Sequence, residues 1–107
     1  MIANTIQPPY YAVIFSSIRT NVDDGYDETA ELMERLAQEV DGYLGIETAK
    51  NELGITVSYW RDLVAIANWK QQIDHVRAQE KGKQAWYAEY KVRIAKVERD
   101  YDFTVDT

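Results

Sequence analysis

At 107 residues, 46% of them hydrophobic, the chain is the right size for one domain with a filled core. It has no cysteine, which excludes disulfides, thiolate catalysis, iron–sulfur clusters and cysteine-ligated zinc. A net charge of −6 argues against a general nucleic-acid binder, and no run nears the ~18–20 apolar residues that span a bilayer.

Met1 to Pro9 has neither a basic start nor an apolar stretch, so it is no secretory signal. It is expected to be a flexible arm before a single domain over 10–107, in a protein expected to be cytoplasmic. Residues 10–18 form the first strand. Its run Tyr10-Tyr11-Ala12-Val13-Ile14-Phe15 shows no polar alternation, whereas an antiparallel strand with one wet face should alternate. Thr20 to Gly25 is polar and turn-rich. Tyr26 to Val40 is an amphipathic helix, with Tyr26, Ala30, Met33, Leu36, Ala37 and Val40 on one side. Asp27 and Glu28 suit the positive end of its dipole, and Gly42 is placed to terminate it.

Tyr43 to Ala49 is a second strand, Lys50 to Gly54 a hairpin connection, and Ile55 to Trp60 a third strand. Ile55, Val57 and Tyr59 share one face, and Trp60 belongs to the other. Asp62 is a good N-cap for a helix over 63–73, with Leu63, Ile66, Trp69 and Ile73 on one side. A second helical piece is predicted from Asp74 to Tyr90, with a bend at Gly82, and a fourth strand over 91–101. The order β-α-β-β-α-β is the ferredoxin-like α+β arrangement, a four-stranded antiparallel sheet with helices on one side only. Since the strands are apolar on both faces, the other side is expected to be covered by a second copy.

The segments Gly42-Tyr43-Leu44-Gly45-Ile46-Glu47, Ser58-Tyr59-Trp60, Trp69-Lys70, His75 and Trp86-Tyr87 resemble the antibiotic biosynthesis monooxygenase superfamily. The resemblance covers about residues 10–103. It implies a homodimer whose sheets face each other as a dimeric α+β barrel, with a pocket between sheet and helices in each subunit. Some members oxidise polycyclic aromatic molecules with O₂ and no metal or flavin; one branch cleaves heme; others have no established activity. The heme-cleaving branch uses an Asn on strand one, a Trp after strand three and a His as iron ligand. Trp69 matches the Trp, but Ser16 and Ser17 stand where the Asn should be and Gln79 where the His should be. Heme chemistry is therefore the third reading.

His75 is the sole histidine and the natural acid or base near neutral pH. Arg93 could stabilise a developing oxyanion, with Tyr87 as a second oxyanion partner. Trp60, Trp69 and Trp86 could wall an aromatic pocket, and Tyr59 and Tyr90 could bond a quinone or phenol oxygen. On the predicted helix Tyr87 and Tyr90, three apart, would be cofacial. Each of these residues also has an ordinary role in core or interface packing. No metal site is expected, because one histidine and no cysteine make a poor ligand set, and the resemblance implies no cofactor. The expected function is a small cofactor-independent monooxygenase acting on an aromatic or quinone-like molecule. The alternative is a non-catalytic small-molecule-binding or stress-related dimer. Neither nucleic acid nor membrane is an expected partner.

Overall fold

The structure is a computed structural model that describes residues 1–79 and 86–105. The elements run β1 (Tyr10–Arg19), α1 (Tyr26–Glu39), β2 (Tyr43–Lys50), β3 (Gly54–Trp60), α2 (Leu63–Gln79) and β4 (Tyr87–Val97). All strand pairs are antiparallel, and the sheet order is β2-β3-β1-β4. This is the expected ferredoxin-like arrangement. Among the described residues no helix is long and apolar enough to cross a membrane.

Strand β1 is central, paired with β3 on one edge and β4 on the other. Tyr11, Val13, Phe15 and Ser17 point to the side that carries the helices. Tyr10, Ala12, Ile14 and Ser16 point to the other side, bare in that no helix covers it, although Tyr10 and Ala12 are buried there. Val13 joins Trp60, Ala37, Val40, Ala65 and Ile66 in the core, with Tyr11, Tyr43 and Trp69 packed against it.

The helix boundaries follow local chemistry. Gly25, in the left-handed region at φ 76°, precedes α1 without a side-chain cap, and the acids Asp27 and Glu28 fill the first turn. After α1 the chain turns through Gly42 at φ 102°, where an added Cβ would stand 2.7 Å from the Ala65 Cβ. The Asp62 carboxylate accepts from the Ala65 amide at 2.8 Å, so the expected N-cap of α2 is present.

Four expectations about the second half need correction. Helix α2 runs unbroken from Leu63 to Gln79, because Ile73 and Val76 are buried and continue the stripe begun by Ala65 and Ile66. No junction falls at Asp74 or His75, and the bend expected at Gly82 lies outside the described residues. Leu63, placed with the core side, is exposed at the first turn. Strand β4 begins at Tyr87, so Tyr87 and Tyr90 are strand residues and not helical ones. Their aromatic and β-branched neighbourhood suits a strand, and pairing with β1 outweighs the helical reading of the preceding stretch. At its other end β4 stops at Val97, opposite Tyr10. The residue before Tyr10 is a proline, which has no N–H to extend the ladder toward Tyr101.

Candidate functional site

The sheet divides the sequence-derived candidates between two faces. Trp60, Trp69, Trp86, Tyr87 and Tyr90 lie on the helix side. Tyr59 pairs with Ala12 and Arg93 with Ile14, which puts both on the bare side. His75 is exposed on the face of α2 away from its buried stripe of Ile66, Ile73 and Val76. The fold therefore brings five of these residues to one side of the sheet and separates His75 and Arg93 from them.

Two aromatic groups line the helix side. At one end Trp60 is fully buried, 5.1 Å from the Trp69 ring and 5.5 Å from Tyr43. At the other end Phe15 meets Tyr90, stacked at 5.4 Å, and Tyr87, edge-on at 5.4 Å. Tyr26 joins this second group, 5.8 Å from Trp86 and 6.0 Å from Tyr87. The Arg19 guanidinium sits 3.4 Å from the Tyr26 ring centre, and Arg77 lies 5.9 Å from that of Tyr90.

Tyr87 and Tyr90 share a face because of an irregularity. In a regular strand, residues three apart point to opposite sides. Here Ile18 pairs with Glu89 but Arg19 pairs with Tyr87, so Ala88 is an extra residue. This bulge turns Tyr87 to the helix side, where its ring lies 5.8 Å from that of Tyr90. Burial, followed by a hydrogen bond with the Tyr26 hydroxyl, holds the Tyr87 phenol well above its ordinary pKa. A phenol kept neutral in this way serves as a hydrogen-bond donor, not as a base.

The three indoles differ in what their N–H groups do. Trp60 donates to the Ser58 hydroxyl at 2.8 Å, and Trp86 donates to the Asp24 carbonyl at 2.8 Å. Trp86 also receives, at its carbonyl, the Thr20 amide and the Arg19 guanidinium, so it ties the start of β4 to the end of β1. The Trp69 N–H is buried and has no partner; among the described residues it is the one such side-chain polar atom. A buried donor left unpaired costs ~1–3 kcal/mol, so a donor in that state is an obvious place for a ligand acceptor.

On the bare side, Tyr59 donates to Glu47 at 2.6 Å, and the Ala3 amide donates to the same carboxylate at 2.9 Å. The Glu47 carboxylate thus has two partners within its own chain. The Tyr59 bond and then the Ala3 amide hold the Glu47 carboxyl below the usual range. Burial, with the Glu47 hydrogen bond second, pushes Tyr59 up to about 12. Phe15, Tyr26 and Tyr43 were not singled out for the site from the sequence. The alternation of β1 could have pointed to Phe15, but Tyr26 reads there only as helix core.

No family model matches this chain. It is 47% identical over 108 residues to the uncharacterized protein YqjZ of Bacillus subtilis, covering 99% of this chain and 95% of that protein. The chain belongs to the YqjZ family. Its ferredoxin-like fold is shared with solved structures of low sequence identity. SnoaB, a cofactor-independent oxygenase from Streptomyces nogalater, superposes with a TM-score of 0.63 at 7% identity, over 89% of this chain and 97% of SnoaB. A candidate antibiotic biosynthesis monooxygenase of Nitrosomonas europaea gives a TM-score of 0.63 at 12% identity, over 86% of this chain and 92% of that one. At such identities the likeness speaks for the fold of this YqjZ relative and not for its chemistry.

Proposed function

We propose that this protein is a small cofactor-independent monooxygenase that oxidises an aromatic or quinone-like molecule with O₂. The observation that carries the reading is the unpartnered Trp69 N–H, buried beside the Trp60 ring on a side of the sheet lined by aromatic residues. An aromatic ligand with a carbonyl or phenolic oxygen would stack on the rings and accept from that N–H. Tyr87, held neutral, belongs to the second aromatic group, at the other end of the helix side. In the simplest such reaction an activated aromatic CH₂ becomes C=O. One oxygen atom of O₂ enters the product and the other leaves as water with the two hydrogens. The substrate supplies all four electrons, so no external reductant is required. We further propose that the protein works in the cytoplasm as a homodimer whose bare sheet faces meet.

A second reading is favoured by one observation. His75, the sole histidine and the expected base, stands on the solvent side of α2. A binding dimer without chemistry would keep the aromatic lining and need no base.

The test combines ligand binding with O₂ uptake. Anthrone-like polycycles and naphthoquinones, with heme as a comparison, are titrated against the wild type and Trp69→Phe by thermal shift and intrinsic fluorescence. An oxygen-bearing polycycle should raise the melting temperature. Trp69→Phe should weaken its binding by about 5–10-fold, the worth of one hydrogen bond of ~1 kcal/mol. O₂ uptake with a bound polycycle supports the oxygenase, and binding without uptake supports the second reading. Binding by no aromatic probe would sink both.

A further inference from the structure

We infer that the aromatic ligand of the helix side is an acid, whose carboxylate is received by Arg77 and Lys50 at the second aromatic group. The inference deepens the proposed function and rests on its reading of an aromatic ligand held by the Trp69 N–H.

The chain has a net charge of −6, yet three cations gather around these rings. The Arg19 guanidinium and the Lys50 ammonium lie 3.4 Å and 5.3 Å from the centre of the Tyr26 ring, and the Arg77 guanidinium lies 5.9 Å from that of Tyr90. Burial and the Tyr26 hydrogen bond raise the Tyr87 phenol, and Arg19 and Arg77 work against that rise, so the charge of each is felt at its hydroxyl. Arg19 is already occupied. It donates to the Trp86 and Val22 carbonyls and pairs with Asp23 at 3.0 Å. The side chains of Lys50 and Arg77 form no salt bridge with a described residue. An aromatic face holds a cation without neutralising it, so both keep their charge for a ligand. A guanidinium is a planar fork of donors that fits a carboxylate, and the one on Arg77 is half-buried, where salt screens an ion pair less than in open water.

Strand β4 shows where the rest of the ligand lies. Tyr90, Val92 and Ile94 stand opposite Ser17, Phe15 and Val13, and make a half-exposed apolar row on the helix side. The row leads from the cations toward Val13, which packs with Trp60 in the core that Trp69 adjoins. On α2, Trp69 and Arg77 are separated by about 12 Å of helix rise. A fused three-ring system with a short acidic side chain has that reach. With an oxygen at the Trp69 N–H, its rings cover the row and its carboxylate arrives at Arg77. A neutral polycycle of the same shape forgoes the charge complementarity at that end.

The probes are an anthraquinone bearing a butanoate side chain and the corresponding butanamide, of nearly equal shape and unequal charge. Affinities for both are measured by intrinsic fluorescence at low and at high salt. The acid should bind the wild type at least tenfold tighter than the amide, and salt should erode the difference. Arg77→Gln should reduce the preference to under twofold while leaving the amide bound as before, which also shows that the variant is folded. Lys70→Gln removes an equal charge from the same helix and should keep the preference. Lys50→Gln should lower it in the same direction as Arg77→Gln, and carries the test if Arg77→Gln does not fold. Equal binding of acid and amide to the wild type overturns the acid and leaves the proposed function standing. A preference that survives Arg77→Gln, or that Lys70→Gln removes equally, also overturns it. Binding of neither probe overturns the acid together with the aromatic ligand on which it rests.

Discussion

Burial of Tyr59 and its hydrogen bond with Glu47 give stability a dependence on pH at both ends of the scale. Tyr59 has a folded pKa of about 12, above its ordinary value near 10, so its contribution is present below pH 10 and lost as pH rises toward 12. Glu47 is held below the usual carboxylate range, so its contribution is present above that range and lost as pH falls through its folded value. The difference in phenolate absorbance between wild type and Tyr59→Phe should therefore titrate near 12. In Glu47→Gln that midpoint should fall but stay above 10, because burial is the larger cause. An unmoved midpoint would mean that the bond contributes nothing. His75 makes the opposite case. As a solvent-side residue of α2, its change to Ala should leave probe binding within about 0.5 kcal/mol of wild type. A hundredfold loss of turnover in a folded His75→Ala variant would instead make it a base reached from the solvent side.

Among the elements, the junctions carry more consequence than the middles. Gly42 has φ 102° and faces Ala65, at 2.7 Å from where its own Cβ would be, so the turn before β2 and the first turn of α2 are packed against each other there. Gly42→Ala combines a conformation that side chains resist with a direct clash, and should cost about 2 kcal/mol or more. Adding Ala65→Gly should recover only part, since it removes the clash and not the backbone strain. Gly54→Ala meets the Ser17 hydroxyl at 3.3 Å without a positive φ, and should cost less than Gly42→Ala. Urea midpoints order the three variants, and equal losses at Gly42 and Gly54 would contradict the backbone argument. The exposed pairs of Arg61 with Asp41 and Lys70 with Asp74 belong to the same elements but should matter little, since solvent screens them.

For the whole molecule, the question is what covers the bare sheet face and the flank of β4. Tyr90, Val92 and Ile94 are half exposed on the helix side because neither helix reaches across β4, and Ile18 and Ile55 are open on the other side. A two-fold dimer burying more than about 2,000 Å² is the expected assembly. Light scattering at micromolar concentration should give twice the chain mass, and Val57→Lys, which places a charge at the centre of the bare face, should give the monomer. A wild-type monomer would remove the dimer from the proposed function.

The order of elements, the two apolar faces of β1, the faces of β3 and the Asp62 cap were legible in the sequence because each rests on neighbours along the chain. Tyr59 and Trp60 could already be placed on opposite faces, since adjacent strand residues point apart. The end of α2 and the start of β4 were not legible. Helical and extended readings of the stretch before Lys91 compete locally, and the pairing of Tyr87 with Arg19 decides it across the sheet. The same pairing creates the bulge at Ala88 that turns Tyr87 toward Phe15 and Tyr90. Sequence spacing alone determined that aromatic residues, one histidine and one arginine were available as candidates. Only the tertiary structure decided that five of the aromatic candidates share the helix side while Tyr59 and Arg93 lie on the bare face and His75 faces solvent. The physical reason is that alternation sets which residues of a strand point apart, whereas helix packing and strand register set which of those two sides becomes the interior.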